Sequence, residues 1–315
     1  MECSVLTGHT YKKFVVGRER LGAGAFGQVS KAQSFFRNSK HMDVALKISS
    51  EHDMLSVPIR EVAILSKLRH TNIIRMYDAG SMSVGGDVRL YIAMELMPAD
   101  LGKVKHCDFS LCELSAVATQ LFRGLSFMHQ FSIAHRDIKP DNILIDTSMR
   151  LCIGDLGLAR DMSEKVLARP LTRVTTTLWY RAPEIALGDG TYDFGVDVWS
   201  ATLVLLELAT KAPVFVANSE VELIMNIFRL LGTPTLETWL NLPSYAHYSP
   251  EYPRWVPKRL EVAFPTAGSA VLDFFSFGAR CNPHARPSAD LVEAHDFCRL
   301  APRVPFLESS SLIRI

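Results

Sequence analysis

The spacing of apolar and polar positions changes near residues 95–98, and this change divides the chain into two regions. In the first region, short apolar-interrupted runs separated by glycines predict β-strands. These runs lie at residues 14–20, 29–34, 44–48 and 89–94. One helix interrupts them, because Ile59, Val62, Ala63, Leu65 and Leu68 recur at helical spacing. The first region is therefore predicted to be a small sheet with one helix.

The second region has a helical pattern. Ser110 and Glu113 have the spacing of a capping box, and Ser219 and Glu222 repeat it. The apolar stripe that follows Ser110 consists of Leu114, Ala118, Leu121, Leu125 and Met128. Prolines and aromatic residues without a period predict a loop-rich segment over residues 234–265. We therefore expect a larger, mainly helical part after the sheet.

The longest apolar stretch, residues 196–217, contains Asp197, Glu207 and Lys211. These charges predict a buried helix of a soluble protein rather than a membrane span. The chain begins without the basic and apolar segments of a secretory signal. No pair among its six cysteines has the two-residue spacing of a zinc or redox motif, so free thiols in a reducing compartment are expected. We expect an intracellular protein of the nucleus, the cytoplasm or both.

Composition narrows the class of protein further. The 315 residues are 48% apolar and 21% charged, which is ordinary for a globular protein of one large or two moderate domains. The formal net charge is only +1, and this argues against a broad basic face for nucleic acid. Neither nucleic acid nor a membrane is an expected partner.

Three glycines, Gly22, Gly24 and Gly27, form the pattern G-x-G-x-x-G. Glycine lets the backbone approach a phosphate closely, so the pattern indicates a phosphate-binding loop. One interpretation is a dinucleotide-binding fingerprint, in which Asp43 would bind the ribose from about 20 residues away. That interpretation needs a helix at the last glycine, but residues 28–33 have no helical apolar stripe. A hairpin that closes over phosphates fits the pattern better.

Four further motifs follow in a fixed order. They are Val-Ala-Leu-Lys ending at Lys47, with Glu61 in the next helix; His-Arg-Asp-Ile-Lys-Pro-Asp-Asn at 135–142; Asp-Leu-Gly at 155–157; and Ala-Pro-Glu at 182–184. With these motifs the chain resembles the eukaryotic protein kinase family over residues 14–298. A single lysine or aspartate is usually solvated surface, but the ordered set makes that interpretation improbable.

The resemblance implies an α+β, bilobal protein kinase fold. A small N-terminal lobe of antiparallel sheet plus one helix would span about residues 14–95, and a hinge would lie at about 95–98. A larger, mainly helical C-terminal lobe would span about 99–298. Residues 1–13 and 299–315 would be terminal tails.

The resemblance also implies the cofactors ATP and Mg²⁺ and a role for each motif. Lys47, oriented by Glu61, would hold the α- and β-phosphates, and Asn142 and Asp155 would hold magnesium. Asp137 would accept the proton of the substrate hydroxyl, and Lys139 would contact the transferred phosphate. The residues expected to contact the nucleotide are Leu21, Gly22, Ala23, Gly24, Ala25, Phe26, Gly27, Gln28, Val29, Lys47, Met94, Glu95 and Met97.

The resemblance assigns structural roles to three more residues. Glu184 would pair with Arg286, and Asp197 would anchor the catalytic loop from the central helix. Asp155 is followed by Leu156, where the family pattern has phenylalanine, so the packing behind the metal ligand is smaller. We expect the enzyme to remain active with a changed balance between active and inactive loop positions.

Two segments resemble cyclin-dependent kinases in particular. Residues 57–65, which contain Pro-Ile-Arg-Glu, resemble the cyclin-binding helix of the D-type-cyclin-dependent members, which implies a cyclin-like partner near Arg60. An ordinary amphipathic helix is the alternative. Residues 178–184, Leu-Trp-Tyr-Arg-Ala-Pro-Glu, resemble the group that includes cyclin-dependent and mitogen-activated kinases. Val174 stands where the mitogen-activated enzymes need tyrosine, and this argues against them.

The same resemblance implies a phosphorylation switch. Thr172 falls at the activating phosphothreonine, which an upstream kinase would modify, and Arg60, Arg136 and Arg160 would clasp its phosphate. Arg181 would favour Ser/Thr-Pro sequences in protein substrates. The expected function is a serine/threonine kinase in cell-cycle or transcription control. Two alternatives stay open, a cyclin-independent kinase of the same group and a pseudokinase scaffold.

Overall fold

The computed structural model describes residues 2–4, 13–24, 27–35, 42–50, 56–84, 87–163, 178–188 and 192–300. The chain divides into two compact units. The first comprises residues 1–98 and 154–159, and the second comprises residues 99–153 and 160–315. The sheet lies in the first unit and the helices of residues 99–300 lie in the second, which agrees with the predicted α+β class.

The first unit is an antiparallel six-stranded sheet with one helix, α1 (Ser56–Lys67). The strand order is β1-β2-β3-β4-β6-β5. The strands are β1 (Glu2–Ser4), β2 (Lys13–Gly24), β3 (Gly27–Phe35), β4 (Met42–Ile48), β5 (Met76–Val84) and β6 (Asp87–Glu95). Two of these strands have no counterpart in the sequence prediction: β5, and β1, which forms within the segment that the sequence indicated as a tail.

The two faces of this sheet have different compositions. Val29 of β3 and Lys47 of β4 are directly opposite each other, and so are Ala45 of β4 and Met94 of β6. Because side chains alternate along a strand, these four residues share one face. The other face carries the core cluster of Phe14, Ala32, Val44, Leu46, Met82, Tyr91 and Ala93. Lys47 therefore lies on the face opposite this core.

Helix α1 buries part of the apolar set that predicts it, because Leu65 and Leu68 are buried and Val62 is half-buried. Glu61 is 1% exposed, whereas Ile59 is 57% exposed and Ala63 is also exposed. The helix packs against the 3-10 turn at Leu156–Leu158, in which Leu156 is fully buried. The predicted helix is confirmed, and it turns the Glu61 carboxylate inward while Ile59 and Ala63 stay exposed.

The second unit is mainly helical. Its helices are α2 (Leu101–Val104), α3 (Leu111–Gln130), α4 (Pro183–Ala186), α5 (Gly195–Thr210), α6 (Glu220–Leu231), α7 (Leu260–Ala263), α8 (Ser269–Gly278) and α9 (Ala289–Glu293). Its short strands are β7 (Ala99–Asp100), β8 (Ile133–Ala134), β9 (Ile143–Ile145), β10 (Leu151–Ile153) and β11 (Arg160–Asp161). Strands β10, β9 and β7 form one small sheet, and β11 and β8 form another.

Local signals in the sequence explain where the long helices begin. Ser110 and Glu113 form a complete capping box at the start of α3. At α6, Ser219 accepts a hydrogen bond from the Glu222 N–H, but the Glu222 carboxylate accepts from Asn218 instead. Helix α5 is buried along most of its length, as predicted. In the part of the chain that is described, no helix is both long and apolar enough to cross a membrane.

Helices α5 and α8 approach each other closely at Gly278. A β-carbon at Gly278 would lie 2.3 Å from the Thr202 Oγ1 atom. Thr202 is buried, and its hydroxyl donates to the Val198 carbonyl oxygen at 2.8 Å. Gly278 therefore provides the space that Thr202 occupies.

Candidate active site

The first unit gathers three predicted site residues around one ammonium group. Lys47 Nζ donates to Glu61 Oε1 and Oε2 at 2.8 Å each, and to Asp155 Oδ1 at 2.7 Å. Lys47 and Glu61 are buried, whereas the Asp155 side chain is 43% exposed. One cation thus binds a buried carboxylate and a carboxylate that reaches solvent.

Three distant segments supply these groups. Lys47 lies on β4, Glu61 lies on α1, and Asp155 precedes the turn that packs under α1. Asp155 has φ 49° and ψ 71°, in the left-handed region that a residue with a β-carbon rarely adopts. Backbone strain of this kind persists where surrounding packing enforces it, and buried Leu156 is the adjacent packing residue.

The charge of Lys47 is stable near neutral pH. Burial alone would lower the pKa of its ammonium group, but Glu61 and Asp155 outweigh burial and hold this pKa above its ordinary value. A raised lysine pKa stabilises the folded state at every pH below the ordinary lysine value and fails only in strong alkali. The site therefore offers a permanent cation to an anionic ligand.

The glycine motif forms a β-hairpin. Gly22 is opposite Val29, Ala23 is opposite Gln28, and Gly24 is opposite Gly27. The hairpin interpretation is confirmed, and the dinucleotide fingerprint is wrong, because strand β3 and not a helix begins at the last glycine. The predicted nucleotide contacts Ala25 and Phe26 lie outside the described residues.

At Gly27 the backbone requires glycine. Its φ is +132°, and a β-carbon there would lie 2.2 Å from the Ile48 carbonyl oxygen. At Gly22, by contrast, a β-carbon would meet nothing within 4 Å. Leu21 is half-buried and lies beside an irregularity in the β2–β3 register.

The predicted hinge residues lie at the end of β6, which contains Met94 and Glu95, and just after it, at Met97. Met94 and Met97 are buried. The Glu95 N–H donates to the Arg75 carbonyl oxygen at 2.9 Å, which fixes the chain as it leaves the sheet. The pattern of buried methionines fits an apolar surface, as the adenine-binding prediction requires.

The second unit contains a compact catalytic-loop cluster, Asp137, Lys139 and Asn142. Asp137 Oδ2 accepts from Lys139 Nζ and from Asn142 Nδ2, each at 2.9 Å. The Asn142 amide also donates to the Asp137 carbonyl oxygen at 2.7 Å. Because its nitrogen is directed at Asp137, the amide leaves its oxygen for another ligand.

Asp197 of α5 anchors this loop, as the resemblance implies. Its carboxylate accepts from the Arg136 N–H at 2.7 Å and from the His135 N–H at 2.8 Å. His129 Nε2 lies 2.9 Å from Asp197 Oδ2. Burial alone would raise the pKa of the Asp197 carboxyl, but the hydrogen bond and charge of His129 and the backbone donors hold it below the ordinary value. The anchor is therefore an ionised carboxylate.

The second structural prediction is also confirmed. Arg286 forms a buried, two-point ion pair with Glu184, with distances of 2.7 and 2.9 Å. Arg286 also lies over the Trp199 ring, 5.2 Å from its centre. This bridge fixes the start of α4 within the second unit.

The family model of the protein kinase domain matches residues 15–298. The chain belongs to the protein kinase family. The fold is accordingly the protein kinase fold, an antiparallel sheet followed by a mainly helical region. As a kinase the protein transfers phosphate from ATP to protein substrates.

The predicted metal ligands of the kinase have suitable chemistry. Asp155 supplies a carboxylate that is partly exposed, and Asn142 supplies an amide oxygen. Mg²⁺ binds through one or two such protein oxygens and takes its other ligands from phosphates and water. The described residues contain no cluster of three or more His, Cys, Asp or Glu that could hold a metal ion.

The proposed regulatory arginines lie on a helix, on a strand and in a loop. Arg60 is exposed on α1, and Arg160 is half-buried on β11. Arg136 is buried and has φ 72°, again in the left-handed region. Thr172 lies outside the described residues, so the phosphate-binding role of the three arginines stays a prediction.

The sequence analysis missed His129. A histidine in the last turn of α3, six residues before the His-Arg-Asp motif, was the available signal. Among the described cysteines, those at 107, 112, 152, 281 and 298 are not joined in disulfides. Burial raises the pKa of Cys281 and of Cys298 to about 12, so both remain protonated.

Proposed function

We propose that this protein is a cyclin-dependent-kinase-like serine/threonine kinase, active in the nucleus or cytoplasm and controlled by a partner bound to α1. The observation that carries the proposal is the orientation of α1. The helix buries Glu61 against Lys47 and leaves Ile59 and Arg60 exposed beside it. A partner that binds the exposed face of α1 would set the position of Glu61, the proposed catalytic glutamate.

In the proposed reaction, Lys47 binds the α- and β-phosphates of ATP while Glu61 fixes its ammonium group. Asp137 accepts the proton of the substrate hydroxyl. The Asn142 amide holds the Asp137 carboxylate in place by donating to it at 2.9 Å. Lys139, 2.9 Å from Asp137, supplies positive charge to the transferred phosphoryl group. Mg²⁺ held by Asp155 and Asn142 would neutralise phosphate charge.

Regulation at Thr172 is the second part of the proposal. A phosphothreonine carries nearly two negative charges near neutral pH, and arginine donates paired hydrogen bonds to phosphate. Arg60, Arg136 and Arg160 are the three arginines at the family positions for this contact. Phosphorylation of Thr172 by an upstream kinase would therefore order the segment that contains it.

Preference for proline after the phosphorylated residue is the third part. Arg181 lines a small cavity together with Asp137, Ile138 and Tyr180. Its guanidinium donates to Glu220 at 2.6 Å, which holds it in one orientation. A guanidinium donates hydrogen bonds and cannot accept one, so Arg181 offers no partner to a backbone N–H, and proline, which lacks that N–H, avoids the loss.

The reaction is tested with the protein purified together with its co-purifying subunit, radiolabelled ATP and a library of serine, threonine and tyrosine peptides. We expect label on serine and threonine, with proline enriched at the next position. Label on tyrosine would contradict the serine/threonine assignment, and absence of a proline preference would contradict the role of Arg181. A complex that binds ATP without transferring phosphate to any peptide would favour the pseudokinase alternative.

The partner is tested with Ile59→Asp and a matched control, Val88→Asp. Both residues are apolar and well exposed in the first unit, but Val88 lies on strand β6. We expect Ile59→Asp to lose both the co-purifying cyclin-like subunit and the activity that depends on it, while Val88→Asp keeps them. Full activity of the isolated chain, unchanged by Ile59→Asp, would favour the cyclin-independent alternative.

A further inference from the structure

Helix α5 carries a carboxylate that the catalytic assignments do not use. The Glu207 side chain is fully buried, and both of its oxygens have a partner. Lys105, just after α2, donates from Nζ to Oε1 at 2.9 Å. The Tyr180 hydroxyl donates to Oε2 at 2.6 Å. Within the described ranges, Lys105 is the cation that neutralises this buried charge.

A buried carboxylate needs a nearby cation because its transfer out of water is costly. The Lys105 side chain remains 24% exposed, so its ammonium group reaches Glu207 from the surface of the second unit. A substitution of Lys105 therefore alters a side chain at the surface and leaves the packing of the core in place. Removing its charge would leave Glu207 with the Tyr180 hydroxyl as a neutral donor.

Tyr180 connects this pair to the catalytic loop. It lies in residues 178–182, which we call the 178–182 segment, and it lines the same small cavity as Asp137. Its carbonyl oxygen accepts from Ser200 Oγ at 2.8 Å. Burial and the Glu207 carboxylate raise the pKa of the Tyr180 hydroxyl, so it remains a donor. The position of the 178–182 segment thus depends on whether Glu207 stays paired with Lys105 and Tyr180.

We propose that Lys105 is a positioning residue for the protein substrate. Through Glu207 it holds Tyr180, and Tyr180 holds the 178–182 segment beside Asp137. The proposal rests on protein kinase activity alone and not on the cyclin-dependent role. It assigns to a surface lysine a control over substrate binding that leaves ATP binding unchanged.

The first test compares Lys105→Met with Lys105→Arg and with a matched control, Lys103→Met. Lys103 is two residues away, and its side chain is 59% exposed on α2. With myelin basic protein as substrate, we expect Lys105→Met to raise the KM for protein about tenfold, with kcat and the KM for ATP within about twofold. Lys105→Arg and Lys103→Met should resemble the parent protein. Equal KM values for Lys105→Met and Lys103→Met would overturn the proposal.

The second test repeats Lys105→Met in a Glu207→Gln background. Glutamine keeps an oxygen that accepts from Tyr180 but has no charge that needs Lys105. If Lys105 acts through the Glu207 charge, its substitution in this background should change the KM for protein by less than about twofold. A tenfold rise in this background as well would show that Lys105 acts by another route.

Hydrogen exchange supplies a readout that does not need catalysis. The Arg181 N–H donates to the Leu178 carbonyl oxygen at 3.1 Å within the 178–182 segment. We expect this amide to exchange about tenfold faster in Lys105→Met and at the parent rate in Lys105→Arg and Lys103→Met. Should Lys105→Met fail to fold, Tyr180→Phe replaces it, and unchanged exchange and KM in that variant would refute the mechanism.

Discussion

The Lys47 ammonium group of the first unit and the Asp137 carboxylate of the second, which we propose to be catalytic, are held in different ways. Lys47 contacts Glu61 and Asp155, which lie 14 and 108 residues away in the sequence. Asp137 contacts Lys139 and Asn142, only two and five residues away. The first cluster exists only while α1 and the turn at Leu156–Leu158 pack together, whereas the second is built into one short loop.

This difference indicates where the enzyme can be regulated. Displacement of α1 would separate Glu61 from Lys47 and leave the Asp137 cluster untouched. The loop in the second unit depends instead on Asp197, a buried carboxylate with backbone N–H partners. We therefore expect binding partners to act on the first cluster and mutations of α5 to act on the second.

The largest expected effect comes from Asp137→Asn, which removes the proton acceptor from the locally built cluster. We expect kcat to fall about a thousandfold, because an amide cannot accept the proton of the substrate hydroxyl. Asp141→Asn, an exposed carboxylate of the same loop, is the matched control and should retain activity. Steady-state kinetics measure both, and a fall below tenfold for Asp137→Asn would remove it from the catalytic role.

Glu61→Gln breaks the cluster that depends on tertiary packing. Without the charge of Glu61, Lys47 retains only Asp155 as an anionic partner within this cluster, so its position on the phosphates is lost. We expect kcat/KM to fall about a hundredfold. Glu113→Gln weakens the α3 capping box and leaves this cluster intact, so it should change kcat/KM little. Similar values for the two variants would contradict the role of Glu61.

Asp197→Asn tests the anchor of the second cluster through stability and pH. The pKa of the Asp197 carboxyl lies below its ordinary value in the folded state, so it stabilises the protein above the unfolded pKa of about 3.9 and this effect is lost as pH falls. We expect Asp197→Asn to cost about 2–4 kcal/mol of unfolding free energy at pH 7 and progressively less below about pH 4.

Tryptophan fluorescence can measure this cost in the second unit, because all four tryptophans, at 179, 199, 239 and 255, belong to it. Urea unfolding at several pH values gives the free energy for the parent protein and each variant. Asp290→Asn, an exposed carboxylate on α9, is the control and should have little effect. A cost for Asp197→Asn that did not depend on pH would show that its ionisation is unimportant.

Gly27→Ala sharpens the comparison within the first unit and has the smallest expected effect. A β-carbon at this positive φ would collide with the Ile48 carbonyl oxygen, so the hairpin must shift. We expect a loss of about 2 kcal/mol in unfolding free energy and a higher KM for ATP. Gly22→Ala has open space for its methyl group, and it should stay within about 0.5 kcal/mol of the parent in calorimetry. Equal effects would refute the steric argument.

The sequence predicted the second cluster better than the first because its contacts are local. The motif at 135–142 contains Asp137, Lys139 and Asn142, so their proximity follows from the sequence itself. The pairing of Lys47 with Glu61 was expected from the resemblance to kinases, and the structure shows it. Ile59 belongs to the apolar spacing that predicts α1, yet its side chain is exposed. Apolar periodicity takes only apolar residues into account, so it cannot predict that a buried ion pair sets the rotation of the helix about its axis.

Other contacts could not be predicted because they join residues far apart without a motif. The Lys105–Glu207 pair spans 102 residues, and the His129–Asp197 contact spans 68. A single sequence contains no signal that selects Glu207 as the partner of Lys105 among the other carboxylates. The strand β1 is a further case, since three residues are too few for a periodic pattern.

The close approach of Thr202 and Gly278 constrains how the sequence of this kinase can evolve. Alanine at Gly278 collides with the threonine hydroxyl, and a small residue at Thr202 opens a void beside the glycine. Each single change is therefore destabilising, whereas a larger residue at position 278 combined with a smaller residue at position 202 restores the packing. We expect these two sites to covary among relatives, so that an aligned set of sequences would reveal the contact between α5 and α8.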